Sequence, residues 1–215
     1  MSAGRRLVLL RHGRTAWNAS GRAQGHADVE LDDLGHAQAR AAAGALAALR
    51  PAAIWTSDLA RAAQTCGYLE RATGLSAKPD DRLREFDVGA RQGQTLAESV
   101  EAFPDEYAAW LQSSDIFLVA GAESAADVEA RMVPALREFF SSLHAGDTGV
   151  AVTHGACLKV GMLGMLGWPQ SLAPSLRGIG NCAWVVLAER ELGGPLCLEA
   201  YNQRVGPTGD GATEL

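Results

Sequence analysis

Two histidines occupy the same kind of place in this chain, each directly after an apolar run and directly before a glycine. Leu7-Val8-Leu9-Leu10-Arg11-His12-Gly13 is the first, and Gly149-Val150-Ala151-Val152-Thr153-His154-Gly155 repeats the design. A continuous apolar run fits a strand covered on both faces, as in a parallel sheet. Ligands of open α/β sheets bind beyond the carboxyl ends of the strands, which is where Arg11 and His12 are expected. Histidine suits nucleophilic and acid–base work near neutral pH, and Gly13 lets the backbone turn sharply or approach a ligand closely. Either tripeptide alone equally suits a strand that ends in a polar loop. The recurrence favours chemistry.

Two further stretches lie between them. Trp55-Thr56-Ser57-Asp58-Leu59-Ala60-Arg61 ends a short strand in Ser-Asp and opens a helix with Arg61 in its first turn. Arg82-Leu83-Arg84-Glu85-Phe86-Asp87-Val88-Gly89 then supplies two carboxylates. Taken in order, Arg11-His12-Gly13, Ser57-Asp58-Leu59 with Arg61 and Thr65, Leu83-Arg84-Glu85, and Thr153-His154-Gly155 resemble the signatures of the histidine phosphatase superfamily, also called phosphoglycerate mutase-like. The resemblance spans most of the chain and leans to the phosphatase branch.

That resemblance implies a division of labour for phosphoryl transfer. The reaction needs a clamp for the equatorial oxygens, an in-line nucleophile and a proton for the leaving group. His12 is implied as the nucleophile that becomes phosphohistidine, which requires a neutral imidazole held by a carbonyl at its other nitrogen. Arg11 and Arg61 are the implied clamp, since guanidinium forks match phosphate oxygens and never lose their charge. His154 and Asn18 are implied as further phosphate-binding groups, and Gln24 and Gly25 as pocket lining. Glu85 is implied as the general acid, with a pKa raised by burial and by the neighbouring phosphate; Asp87 is its local competitor. Read without the resemblance, Arg61 is a solvated helix residue and Asn18 a turn or cap residue. Glu85 is then a surface carboxylate paired with an arginine, and residues 22–25 are a Gly-flanked turn. No metal and no cofactor are expected, because His26, His36 and His144 lack partners at ligand spacing; each is expected at the surface.

The implied activity is a metal-independent phosphomonoesterase acting on a small phosphorylated metabolite, a sugar phosphate or phosphoglycerate derivative. The alternative is a cofactor-dependent phosphoglycerate mutase, which shares the core but must shield its phosphohistidine, usually with longer lid segments. A non-catalytic phosphate-sugar-binding module is the third reading. Arg14 stands where relatives commonly carry Glu or Gln, and Gly89-Ala90-Arg91-Gln92-Gly93 lacks an aromatic that relatives often have. Arg14 could draw phosphate or pair with an acid, and both departures bear on substrate choice.

Alternating patterns must position these groups. Strands are expected near 7–10, 53–56, 149–153, 182–188 and 196–200, and helices near 34–49, 59–73, 96–112, 123–143 and 156–166. This alternation predicts a three-layer α/β/α sandwich with a mostly parallel sheet. Gly193-Gly194-Pro195 predicts an antiparallel hairpin at one edge. Pro51, Pro79 and Pro169 are expected between elements. The reading is one domain over 1–204 and a flexible tail over 205–215, with residues 97–122 as the expected lid region.

At 215 residues the chain suits one such domain, and 47% apolar with 20% charged residues is ordinary for a globular protein. A net charge of −6 argues against a broad nucleic-acid-binding face. Only Lys78 and Lys159 of the 19 basic residues are lysines, so an arginine here carries weight only by its position. No apolar run is long enough for a membrane span and the N-terminal one is too short for a signal peptide, so a cytoplasmic location is expected. The expected partner is a small phosphomonoester, with neither nucleic acid nor membrane; a homodimer is compatible with this reading. Cys66, Cys157, Cys182 and Cys197 show no CxxC or zinc-like spacing and are expected as buried free thiols.

Overall fold

The computed structural model describes residues 3–112 and 116–205. Six strands form one sheet: β1 (Arg6–Arg11), β2 (Ala53–Thr56), β3 (Lys78–Pro79), β4 (Thr148–Thr153), β5 (Trp184–Glu189) and β6 (Leu196–Gln203). Their order is β3-β2-β4-β1-β5-β6. The first four in that order run parallel, β5 pairs antiparallel with β1, and β6 pairs antiparallel with β5 to complete the edge. The helices are α1 (Ala16–Ala19), α2 (Asp33–Ala47), α3 (Ala60–Thr73), α4 (Leu96–Ala102), α5 (Pro104–Leu111), α6 (Ala125–Ser141) and α7 (Gly155–Leu166).

The apolar runs explain the layering. Side chains alternate across a strand, so Leu7 and Leu9 of β1 face one core while Val8 and Leu10 face another. On the first side Met132, Leu136 and Phe139 of α6 and Leu158 and Leu163 of α7 cover the sheet. On the other side Ala39, Ala42 and Leu46 of α2 and Ala62, Cys66 and Leu69 of α3 do so. A strand covered on both faces needs no polar side, hence the continuous hydrophobicity of Leu7–Leu10 and of Val150–Val152. The three-layer architecture with an antiparallel edge is as expected.

Several local expectations need correction. The helix expected over 96–112 breaks at Phe103, which has φ −135° and ψ 61°. A residue before proline is pushed out of the helical region, and Pro104 then opens α5 from its first position. Pro79 lies inside β3 rather than between elements, paired with Thr56 at the sheet edge where a missing N–H is tolerated. β3 itself is only two residues long and carries no periodic signal. The fifth strand starts at Trp184 because Cys182 adopts φ 52°. Its N–H instead donates to the His12 carbonyl, tying the loop before β5 to the end of β1. Cys66, Cys157 and Cys182 are buried, but Cys197 on the edge hairpin is only half-buried. His144 is exposed, whereas His26 and His36 are half-buried. The expected tail lies, beyond Val205, outside the described residues.

Candidate active site

β1 and β4 are neighbours in parallel register, with Arg11 opposite Thr153. The residues that follow, His12 and His154, are therefore brought side by side, with ring centroids 5.1 Å apart in an edge-on arrangement. Both are buried, at 2% and 0% exposure. Gly13 turns the chain away against α2. A side chain there would meet the Gly35 carbonyl oxygen at 2.5 Å, so glycine is required for this approach.

Hydrogen bonding fixes the two tautomers in opposite senses. His12 Nδ1 lies 2.7 Å from the Gly13 carbonyl, which can only accept, so Nδ1 carries the proton and Nε2 the lone pair. His154 Nδ1 accepts from Arg61 Nε at 3.1 Å, so in the neutral ring Nε2 carries the proton and donates to Ser57 Oγ at 2.8 Å. Burial, followed by the Arg61 and Arg11 charges, holds the His12 pKa well below its ordinary value. Burial is also the main cause for His154, with Arg61, His12, Arg11 and Arg131 adding to it. Two neutral imidazoles thus sit among arginines.

Arg61 is fully buried. Besides His154, its guanidinium donates to the Ala27 carbonyl at 2.8 Å and the Gly25 carbonyl at 2.9 Å. A helix-start arginine is therefore locked by the loop that precedes α2. Thr65, one turn further along α3, donates to the Arg61 carbonyl and accepts from Gly13 N–H, joining the two motifs directly. Arg11, 2% exposed, donates through Nη1 to the Ile179 carbonyl.

The other expected residues have definite places. Asn18 forms a capping box with Thr15 at α1, and its Oδ1 also accepts from Asn181 Nδ2 at 3.2 Å. The end of this amide able to donate to an anion is accordingly Nδ2. Asn181 reaches the His12 carbonyl as well, at 3.3 Å. Gln24 is buried and accepts from Thr15 Oγ1 at 2.9 Å. Gly25 adopts φ 51°, and a side chain there would meet Val88 Cγ2 at 2.6 Å. Its carbonyl holds Arg61.

Glu85 is half-buried rather than paired with an arginine at the surface. Its Oε1 accepts from Cys157 N–H at 2.9 Å and from Phe86 N–H at 3.0 Å, and its Oε2 from Ala156 N–H at 3.1 Å. The carboxyl thus rests on the first turn of α7, the helix that His154 caps. Arg84 instead pairs with Asp58. Asp87 turns away, its Oδ1 accepting from Gly89 N–H at 2.9 Å. His26, unassigned by its sequence context, lies beside this segment, with Nε2 2.8 Å from the Glu85 carbonyl.

Both departures have structural partners. Arg14 pairs with Asp32, Nε to Oδ2 at 2.8 Å, and so takes the acid-pairing option. Arg91 donates to the Phe117 carbonyl at 2.9 Å and lies 4.1 Å over the Phe117 ring centroid. It thereby covers an aromatic supplied from further along the chain.

The buried imidazoles carry a consequence for stability. Below about pH 6.5 the unfolded chain protonates both histidines while the folded chain does not, so stability falls as pH falls. Above that pH neither state takes up the proton and the penalty vanishes. Each ring steepens the dependence by up to about 1.4 kcal/mol per pH unit. Carboxylates held low by arginines, such as Asp58 beside Arg84 and Asp80 beside Arg82, titrate below the ordinary carboxylate range and so act at more acidic pH. Urea midpoints at pH 7.5 and pH 5.5 should separate more for the wild type than for His154→Gln. Equal separations would contradict burial as neutral rings.

A buried cluster of arginines and neutral histidines at the carboxyl ends of two central parallel strands points to the class, and comparison with known proteins agrees. Residues 7–202 match the histidine phosphatase superfamily (branch 1). A glucosyl-3-phosphoglycerate phosphatase of Mycolicibacterium vanbaalenii is 40% identical over 86% of this chain and 84% of its own. A metal-independent phosphoserine phosphatase of Arabidopsis thaliana is 36% identical over 71% of this chain and 65% of its own. The solved structure of a mycobacterial glucosyl-3-phosphoglycerate phosphatase with VO3 superposes with a TM-score of 0.83 at 36% identity, covering 92% of this chain and 99% of that one. The chain belongs to the histidine phosphatase superfamily. It is a phosphoric monoester hydrolase acting on a phosphorylated metabolite. No helix among the described residues is long and apolar enough to cross a membrane.

Proposed function

We propose that the chain hydrolyses a small phosphomonoester without a metal, through a phosphohistidine on His12 Nε2, with glucosyl-3-phosphoglycerate the first substrate to test. The observation that carries this reading is the pair of buried neutral imidazoles of opposite tautomer, set among Arg11 and Arg61. The substrate choice is supported by the 40% identity to a phosphatase of that name.

In the first step the Nε2 lone pair attacks phosphorus, and the P–O ester bond breaks. Its electron pair goes to the leaving oxygen, which takes a proton from Glu85. In the second step water attacks phosphorus and gives a proton to the Glu85 carboxylate. The P–N bond breaks, its electron pair returns to Nε2, and inorganic phosphate leaves. Arg11 and Arg61 hold the equatorial oxygens with His154 and the Asn18 amide, so the charge is met by groups already in place. Glu85 Oε2 accepts a single N–H where Oε1 accepts two, making Oε2 the atom to carry the proton. Gly25 acts through Arg61, and Gln24 through Thr15. The domain reading is a single catalytic unit over 1–204.

General acid catalysis contributes about 10²–10⁴-fold, and only where the leaving group needs a proton. Glu85→Gln is expected to lower kcat/KM on an alkyl phosphate such as 3-phosphoglycerate by about 10²-fold or more. On p-nitrophenyl phosphate, whose leaving group is stable as the anion, the loss in kcat/KM, which ends at phosphoenzyme formation, should be under about tenfold. Equal losses in kcat/KM on both substrates would remove Glu85 from the acid role.

The function itself is tested by phosphate release from a panel of phosphomonoesters in EDTA. Glucosyl-3-phosphoglycerate, phosphoserine, 3-phosphoglycerate and sugar phosphates belong in that panel. EDTA-resistant release with one preferred ester supports the reading. Bisphosphate-primed interconversion of 2- and 3-phosphoglycerate without release would make the chain a mutase, and silence in both assays a binding module.

A further inference from the structure

The segment Arg82–Asp87, which carries Glu85, belongs for most of its length to neither strand nor helix, yet its carbonyls are engaged in succession. Arg131 Nη1 donates to the carbonyls of Arg82 and Arg84, both at 2.9 Å, and Arg131 Nη2 to that of Glu85 at 2.8 Å. Thr153 Oγ1 donates to the Leu83 carbonyl at 2.8 Å, and the His26 ring reaches the Glu85 carbonyl at the same distance. Four consecutive carbonyls thus accept from side chains distant in sequence, and Arg131 supplies donors to three of them.

The opposite polarity is supplied by Glu123. Its carboxylate takes Arg131 Nε and Nη2, each at 2.8 Å, and accepts Asp87 N–H at 2.8 Å through Oε2. The pair therefore brackets Glu85, with donors on one side and an acceptor two residues beyond. Arg131 rises from α6, whose capping box at Ser124 and Asp127 fixes the helix start close by. Its side chain is 19% exposed and that of Glu123 is 22% exposed, so water is a poor substitute for either partner. Lysine could not reproduce the grip: three carbonyls and a carboxylate need the planar fork and its several donors.

We infer that Arg131, braced by Glu123, is a positioning residue that holds the Arg82–Asp87 backbone so that the Glu85 carboxyl rests on the first turn of α7. This rests on the reading of Glu85 as the proton donor. Arg131 does not touch the reacting atoms under this assignment; it acts through the placement of Glu85.

The test uses the full-length chain and leaving-group dependence, which a merely structural role would not alter. Arg131→Met is expected to lose at least about tenfold in kcat/KM on 3-phosphoglycerate. On p-nitrophenyl phosphate its kcat/KM, which ends at phosphoenzyme formation and so leaves out the shared hydrolysis step, should stay within about threefold of wild type. Arg131→Lys should fall between the two, and Glu123→Gln should show the same selectivity more weakly. In the double variant with Glu85→Gln, loss of Arg131 should add nothing further on 3-phosphoglycerate, because its effect passes through Glu85. Equal losses on both substrates, or additive losses in the double variant, would overturn the inference and leave Arg131 a structural residue. If Glu85→Gln itself shows no leaving-group selectivity, the acid assignment is what fails. The single variants separate the two cases. Should Arg131→Met fail to fold, the Arg131→Lys and Glu123→Gln variants carry the same comparison.

Discussion

Arg61→Met is expected to reduce kcat/KM by about 10³-fold, and by the same factor on every phosphomonoester, because the lost contact is to the phosphoryl group that all of them share. The substitution removes a buried charge held by His154 and by the carbonyls of Gly25 and Ala27. Under the proposed mechanism that charge meets the equatorial oxygens as negative charge shifts in the transition state. The uniformity distinguishes a clamp from an acid, whose loss is selective for poor leaving groups. Stability should suffer too, since each orphaned carbonyl costs about 1–3 kcal/mol when buried without a donor. Arg61→Lys keeps the charge but cannot make the same three contacts, so a substantial loss should remain. Initial rates on 3-phosphoglycerate and p-nitrophenyl phosphate, with a thermal melt on each variant, check this. A loss confined to one substrate would contradict the clamp.

His12→Ala is expected to lower turnover by at least about 10⁴-fold, the scale on which removal of a covalent nucleophile usually registers. Phosphate affinity should change far less, because Arg11, Arg61 and His154 remain. Phosphate binding by calorimetry, set beside the rate, separates the two roles. A variant that neither turns over nor binds would point to collapse of the pocket, and one that turns over normally would exclude His12 as the nucleophile.

How much of this was readable from residues alone depended on how local each cause was. The strands β1 and β4 are legible because a strand buried on both faces must be continuously apolar, and both runs are. The Arg-His-Gly and Thr-His-Gly positions follow at their ends. Arg61 could be singled out by its place at the start of α3, but not its lock, which depends on the backbone of Gly25 and Ala27 more than thirty residues away. The break at Phe103 was in fact legible, since the residue before a proline seldom stays helical, and the apolar periodicity across it outweighed that signal. β3 was not: two residues at a sheet edge carry no period.

Glu85 marks where the sequence stops informing. Its neighbours Arg82 and Arg84 invite a surface ion pair, yet Arg84 turns to Asp58 and Arg82 to Asp80 and Glu138. The carboxyl is held by main-chain N–H groups of α7 and its backbone by Arg131 of α6, and neither partner has any signature near Glu85. His26 looks isolated in the sequence because the groups it approaches, Glu85, Asp87 and Glu123, come from two later segments. Main-chain donors and long-range tertiary contacts carry no residue-type pattern of their own. Arg14 is the reverse case: its partner Asp32 caps α2, a role an aspartate before a helix announces.

The covalent intermediate is the claim on which the rest depends. The most direct measurement mixes the enzyme with a fast phosphomonoester such as p-nitrophenyl phosphate in EDTA and quenches in alkali, where phosphohistidine survives. Peptide mass analysis then locates any added phosphoryl group. The expected result is one phosphoryl group on the peptide bearing His12, present at early times and absent from His12→Ala. Steady phosphate release with His12 never phosphorylated, or the group found on another side chain, would contradict the account.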